Sequence, residues 1–132
     1  MVISYKVNAN VEPHQLAQLF SASGIKRPSE DLSRIKKMID HANLTITAWD
    51  GDRLVGVARA LTDFSFCCYL SDLAVDKEYQ KQGIGHEMVS EIQKHIGEES
   101  NLLLLAAPES IDYYPKIGFD RIANAYLIQR KK

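Results

Sequence analysis

No apolar run in the 132-residue chain approaches the about 20 residues that a helix needs to cross a bilayer; the longest, residues 102–107, stops at a handful. A membrane-spanning helix is excluded. Cysteine is nearly absent: Cys67 and Cys68 stand side by side in a stretch that reads as strand, where neighbouring side chains point to opposite faces. A bond between them would be strained, and two thiols build neither a disulfide framework nor a four-thiolate zinc site. His14, His41, His86 and His95 show no ligand spacing, so no metal is expected. A charge of one sign is also missing, since 16 Lys and Arg face 17 Asp and Glu. The one basic run, Arg130-Lys131-Lys132, reads as a solvated tail, which argues against nucleic acid as a partner. The first residues lack the basic region, apolar stretch and cleavage site of a secretory signal, so a cytoplasmic location is expected. No repeat, low-complexity segment or linker interrupts the chain.

What is present is an average globular composition, 45% hydrophobic and 25% charged, apolar enough to form a core. Its length fits one domain over residues 1–132. Residues 2–7 alternate as a short strand. Residues 13–23 then carry Leu16, Leu19 and Phe20 at helical spacing, between Pro13 and Gly24. A second helix is expected over residues 29–42, with Glu30 and Asp31 in its first turn. From Leu44 the period becomes two, and Asp50-Gly51-Asp52 breaks it into a hairpin whose second strand runs over 54–61. Another strand is expected over 67–75. Ile84, Met88, Ile92 and Ile96 then recur every fourth residue before Gly97, the pattern of a helix starting near Gly83 or Ile84. The apolar run from Leu102 reads as a strand buried on both faces in mid-sheet. A short helix over 109–117 and a final strand or pair within 119–128 complete an α/β domain ordered βααββ, then βαβαβ.

The chemistry concentrates between the strand ending at Val75 and the helix starting near Ile84. The helix's first turn has unpaired backbone N–H groups and the positive end of its dipole, which suit a phosphate or pyrophosphate. Gly83 and Gly85 leave the backbone open to close approach, and Lys81 adds charge at the rim. A plain strand-to-helix turn uses the same residues. The dinucleotide-binding fingerprint needs a glycine where Met88 stands, and the Walker loop needs a Gly-Lys-Ser/Thr that the chain lacks.

Gln80-Lys81-Gln82-Gly83-Ile84-Gly85 resembles the Gln/Arg-x-x-Gly-x-Gly/Ala loop of the GNAT superfamily of acyl-CoA-dependent N-acetyltransferases. Tyr113-Tyr114-Pro115-Lys116-Ile117-Gly118-Phe119 resembles that family's second signature, an aromatic-Tyr-x-x-x-Gly-Phe segment after the next strand. The two stand in the family's order, and the resemblance covers residues 69–119. It implies a central mixed sheet flanked by helices and splayed between two parallel strands, with acetyl-CoA as co-substrate. By resemblance, the backbone of Leu73, Ala74 and Val75 would meet the pantetheine arm. Gln80, Lys81, Gln82, Gly83, Ile84, Gly85 and His86 would surround the pyrophosphate. Tyr114 would contact the cofactor and protonate the departing thiolate, a task suited to a phenol that stays protonated at neutral pH. Asp72 would take the amine's proton through water or bind its cation; the alternative is an ordinary ion pair with Arg59. Backbone N–H groups near Val75 would polarise the thioester carbonyl.

Arg27, Trp49, Arg59, Asp63 and Tyr69, with Phe64 and Cys67, are candidates for the acceptor pocket. Asp72 and Asp63 together would favour a cationic amine, Arg27 and Arg59 a carboxylate-bearing acceptor such as an amino acid. The residues leave that choice open. Direct acetyl transfer to a primary amine of a small molecule is the expected activity. A non-catalytic acyl-CoA-binding module and a protein lysine or N-terminal acetyltransferase are the competing readings. A homodimer paired through a strand edge at residues 125–128 is expected.

Overall fold

The computed structural model describes residues 2–132. Five strands form one sheet in chain order: β1 (Ser4–Val7), β2 (Leu44–Asp50), β3 (Arg53–Thr62), β4 (Cys67–Val75) and β5 (Asn101–Leu103). All neighbours are antiparallel except β4 and β5. The parallel pair requires a crossover, which α3 (Ile84–Ile96) supplies. On one face α3 lays Ile84, Met88, Val89, Ile92 and Ile96 on Ile46, Val55, Ala58 and Leu70. On the other, α1 (Pro13–Ser23) and α2 (Leu32–His41) bury Leu16, Leu19, Phe20 and Ile35 against Val57 and Ala74. A methyl group on Gly56 would lie 3.0 Å from Met88 Cε and 3.3 Å from Ile84 Cγ2, so glycine is what lets the start of α3 sit this close to the sheet.

The bounds of α1, β4 and α3 and the turn between β2 and β3 follow the sequence pattern. Four expectations are corrected. The second helix begins at Leu32, because Asp31 serves as its N-cap, accepting the Arg34 N–H at 3.1 Å; Glu30 and Asp31 lie ahead of the first turn. The strand from Leu102 is short and lies at the sheet's edge. Its apolar residues are therefore half open, Leu103 at 42%. The helix expected over 109–117 is two 3-10 turns, Pro108–Ser110 and Tyr114–Ile117, each with proline at its start. No strand forms within 119–128: the segment runs exposed past β5, and its end returns to α2, where Arg34 Nη1 donates to the Lys132 carbonyl at 3.0 Å. A β5 buried on both faces needed that final strand as a neighbour.

One irregularity in β4 governs the site. Arg59 pairs with Asp72 and the next residue, Ala60, with Leu70, so Ser71 is an extra residue, a β-bulge. Before it, Cys68 and Leu70 face α3; after it Leu73 and Val75 do, while Ala74 joins the α1–α2 core. Asp72 therefore turns to the α1–α2 face.

Candidate active site

β4 and β5 pair only at Cys67–Asn101, Cys68–Leu102 and Tyr69–Leu103. Beyond Tyr69, β4 continues through Val75 with no β5 partner, so its outer edge carries backbone groups without a ladder. This parting of two parallel strands is the splay that the resemblance implied. Its mouth opens toward the start of α3. There Gly83 is the N-cap, in the left-handed region at φ 83°, and no side chain caps the helix. The first-turn amides are thus left for another acceptor. Lys81, at φ 65°, is also left-handed, a conformation that non-glycine residues adopt at a cost and that loops use to turn successive N–H groups to one side. Lys81, Gln82, Gly83 and His86 are exposed; Ile84 is buried under the sheet and offers its backbone only. An exposed first turn with no capping side chain fits the pyrophosphate of CoA, and the unpaired edge of β4 fits the amide-bearing pantetheine arm.

Gln80 is turned to a structural task. Its Nε2 donates to the Val75 carbonyl at 2.8 Å and to the Ser23 carbonyl at 3.4 Å, tying the loop to the ends of β4 and α1. Tyr113, absent from the cofactor set read from the sequence, stands at the loop instead: a Cβ on Gly85 would lie 2.9 Å from its hydroxyl. Gly85 is needed for that approach as well as for the helix start. The signal was the aromatic pair itself, whose first member the motif leaves undefined beyond its ring. Tyr114 packs edge-on against Tyr113 and Phe119, with centroids 5.2 and 5.5 Å apart. Burial and then Tyr113 raise its phenol above the ordinary value, and Arg27 pulls the other way. Burial likewise raises Tyr113.

Asp72 is fully buried and accepts from two guanidiniums, Arg27 Nε at Oδ1 and Arg59 Nε at Oδ2, the latter at 2.5 Å. The ion pair with Arg59, one of the two roles open to it in the sequence, is present and doubled. Ser71 completes the cluster: its carbonyl accepts from Arg27 Nη2 at 2.8 Å and its hydroxyl from Arg59 Nη2 at 3.0 Å. Tyr69 and Tyr114 line a cavity of about 860 Å³ beside β5, with Leu61, Leu103 and Leu105. Arg27, Arg59, Asp72 and Tyr69 are thus gathered on one side of β4. Trp49 and Asp63 are not. Trp49 is buried against the α1–α2 core, its Nε1 donating to Thr47 Oγ1 at 2.8 Å. Asp63 closes the β3–β4 turn, Oδ1 accepting from the amides of Ser65, Phe66 and Cys67, which holds its carboxyl down to about 2. Phe64 and the Cys67 thiol are exposed at the same turn.

A five-stranded mixed sheet with three helices, parted between parallel strands beside a glycine loop, defines an acyl-CoA-type α/β domain. The family description "Acetyltransferase (GNAT) domain" matches residues 16–128, and the chain belongs to that family. It is 30% identical over 119 residues to the "uncharacterized N-acetyltransferase ycf52" of Porphyra purpurea, covering 83% of this chain and 66% of that protein. The chain thus spans about two thirds of that relative's length. Among solved structures, a GNAT-family acetyltransferase protein of Streptococcus pneumoniae superposes with a TM-score of 0.79 at 23% identity, over 98% of this chain and 100% of that one. An aminoglycoside N-acetyltransferase in complex with CoA superposes with a TM-score of 0.74 at 12% identity, over 99% and 96%. Both likenesses are of fold.

Proposed function

We propose that this acetyltransferase domain moves the acetyl group of acetyl-CoA directly onto the primary amine of a small molecule. The observation that carries the reading is the parting of β4 from β5 beside the uncapped start of α3, with the Tyr114 ring at the cavity along β5. The exposed loop of Lys81, Gln82 and Gly83 and the amides of Ile84, Gly85 and His86 receive the pyrophosphate. The free edge of β4 at Leu73, Ala74 and Val75 aligns the pantetheine arm, and N–H groups near Val75 polarise the thioester carbonyl. The amine nitrogen bonds to the carbonyl carbon, the carbon–sulfur bond breaks, and Tyr114 gives its proton to the departing sulfur. Water takes the proton that the amine loses and restores the phenol's. Asp72 acts as a positioning residue that fixes Arg27 and Arg59, since both of its oxygens are engaged. The reading includes a homodimer, supported by the outer edge of β5, along which no strand pairs among the described residues, and by apolar Tyr126, Leu127 and Ile128 left in solvent.

The test is CoA release from acetyl-CoA across a panel of small amines, beside calorimetric binding of acetyl-CoA. Saturable binding with amine-dependent release is expected. Binding without release from any small amine, but with acetylation of a lysine peptide, would move the acceptor to protein; binding with neither would leave a non-catalytic module.

A further inference from the structure

The cluster under the cleft is unbalanced. One carboxylate, Asp72, answers two guanidiniums, so Arg27, Arg59 and Asp72 together carry one net positive charge. The two arginines differ in access: the Arg59 side chain is 9% exposed, that of Arg27 27%. Arg27 is also held still, with Nε on Asp72, Nη1 on the Lys26 carbonyl at 2.6 Å and Nη2 on the Ser71 carbonyl at 2.8 Å. These bonds use three of its five N–H groups and leave two on a fixed, partly open fork. A guanidinium fixed in that way is suited to a carboxylate, which it meets with two parallel bonds at little further loss of freedom. Arg27 bonds β4 at Ser71 and Asp72, two and three residues along from Tyr69, whose ring lines the cavity that Tyr114 also lines. The walls of that cavity include Leu61, Tyr69, Leu103 and Leu105, which are apolar or aromatic. Asp63, the other acid that could have drawn a cation to this face, lends its carboxylate to three amides of the β3–β4 turn.

We propose that the acceptor is an amine that also carries a carboxylate on an apolar or aromatic body, an amino acid rather than a polyamine, with Arg27 as the carboxylate's partner. This rests on the transferase reading and names the substrate class for the same site. A polycationic amine would meet net repulsion at the same place.

Phenylalanine, phenylalanine amide, phenethylamine and spermidine compared as acceptors test it, each read as kcat/KM for CoA release. Phenylalanine should exceed phenethylamine and the amide at least tenfold, and spermidine should be poorest. Arg27→Gln should bring the ratio of phenylalanine to phenethylamine close to one. Because that variant disturbs a buried cluster, the unaltered protein provides a second measurement. With CoA bound, N-acetylphenylalanine should bind at least tenfold more tightly than N-acetylphenethylamine. Release with phenethylamine or spermidine that equals or exceeds release with phenylalanine overturns the carboxylate assignment and leaves the transferase standing. No release from any of the four, with acetyl-CoA bound, overturns the carboxylate assignment, and no release across the wider panel and the lysine peptide overturns the transferase reading with it.

Discussion

A carboxylate between two arginines is stable as a set and costly to break. Replacing Asp72 by Asn leaves two guanidiniums facing each other in a dry place, where loss of one partner of a buried pair costs about 3 to 5 kcal/mol. Asp72→Asn should therefore lower the urea midpoint of unfolding sharply, whatever it does to turnover. Tyr114→Phe separates along the other axis: the fold is kept, kcat falls about 100-fold or more as befits a lost general acid, and acetyl-CoA affinity stays within a factor of two. Equal kcat in that variant would remove the acid role. Asp63 gives a pH signature. Its carboxyl is lowered from 3.8 to about 2 in the folded chain, so its stabilisation is full above the unfolded value and disappears as pH falls through 2. Asp63→Ala should melt below the unaltered protein at pH 7, and the gap should close toward pH 2 in thermal scans. At this scale the sequence identified Asp72, Arg59 and Arg27 and offered the Asp72–Arg59 pair as one of two roles, but not the second guanidinium on the same carboxylate. Charge pattern shows which residues can pair; only the β4 bulge and the placement of the α1–α2 loop decide that they do.

Among the elements, α3 has two tasks, packing and anchoring the loop. Ile92 is fully buried beneath it, and Ile92→Ala should cost about 3 kcal/mol in chemical denaturation. Gly85→Ala acts at the other end. The new methyl group would stand 2.9 Å from the Tyr113 hydroxyl, so calorimetry should show weaker acetyl-CoA binding, partly restored by adding Tyr113→Phe. The elements legible in advance were those whose periodicity and terminators agree: α1 between Pro13 and Gly24, and α3 with its four-residue repeat ending at Gly97. β5 was misread because a continuous apolar run signals burial only if neighbours exist on both sides. What lies beside a strand is a tertiary fact that its own residues do not encode. The bulge at Ser71 was invisible for a related reason: it carries no glycine and breaks no pattern that its neighbours make explicit.

Taken whole, the molecule has a closed side and an open one. β2 and β3 are paired on both sides and buried, whereas β4 loses its outer partner beyond Tyr69, and β5 pairs three residues and is followed by two 3-10 turns and then an irregular segment with Tyr126 at 99% exposure. Exposed apolar side chains near an unpaired edge favour pairing with a second copy. Sedimentation should show a dimer, and Ile128→Lys should return it to a monomer; a monomeric unaltered protein would dispose of the pairing. The family was legible because the loop and tyrosine motifs depend on local spacing. The choice between a cationic and a carboxylate-bearing acceptor stayed open, because the proposed answer rests on ion pairs between residues as far apart in sequence as Arg27 and Asp72.

The extra residue at Ser71 works like an inserted letter in a reading frame. Upstream of it, even-numbered residues of β4 face α3; downstream, odd-numbered ones do. Deleting Ser71 would close the frame rather than break it: Leu70 and Asp72 would become neighbours on the opposite faces they already occupy, so Asp72 would keep the arginines and Leu73 and Val75 would keep α3. What the deletion removes is the carbonyl and hydroxyl that accept from Arg27 Nη2 and Arg59 Nη2. The bulge is thus a place in β4 where a residue can be lost without exchanging the contents of the two cores.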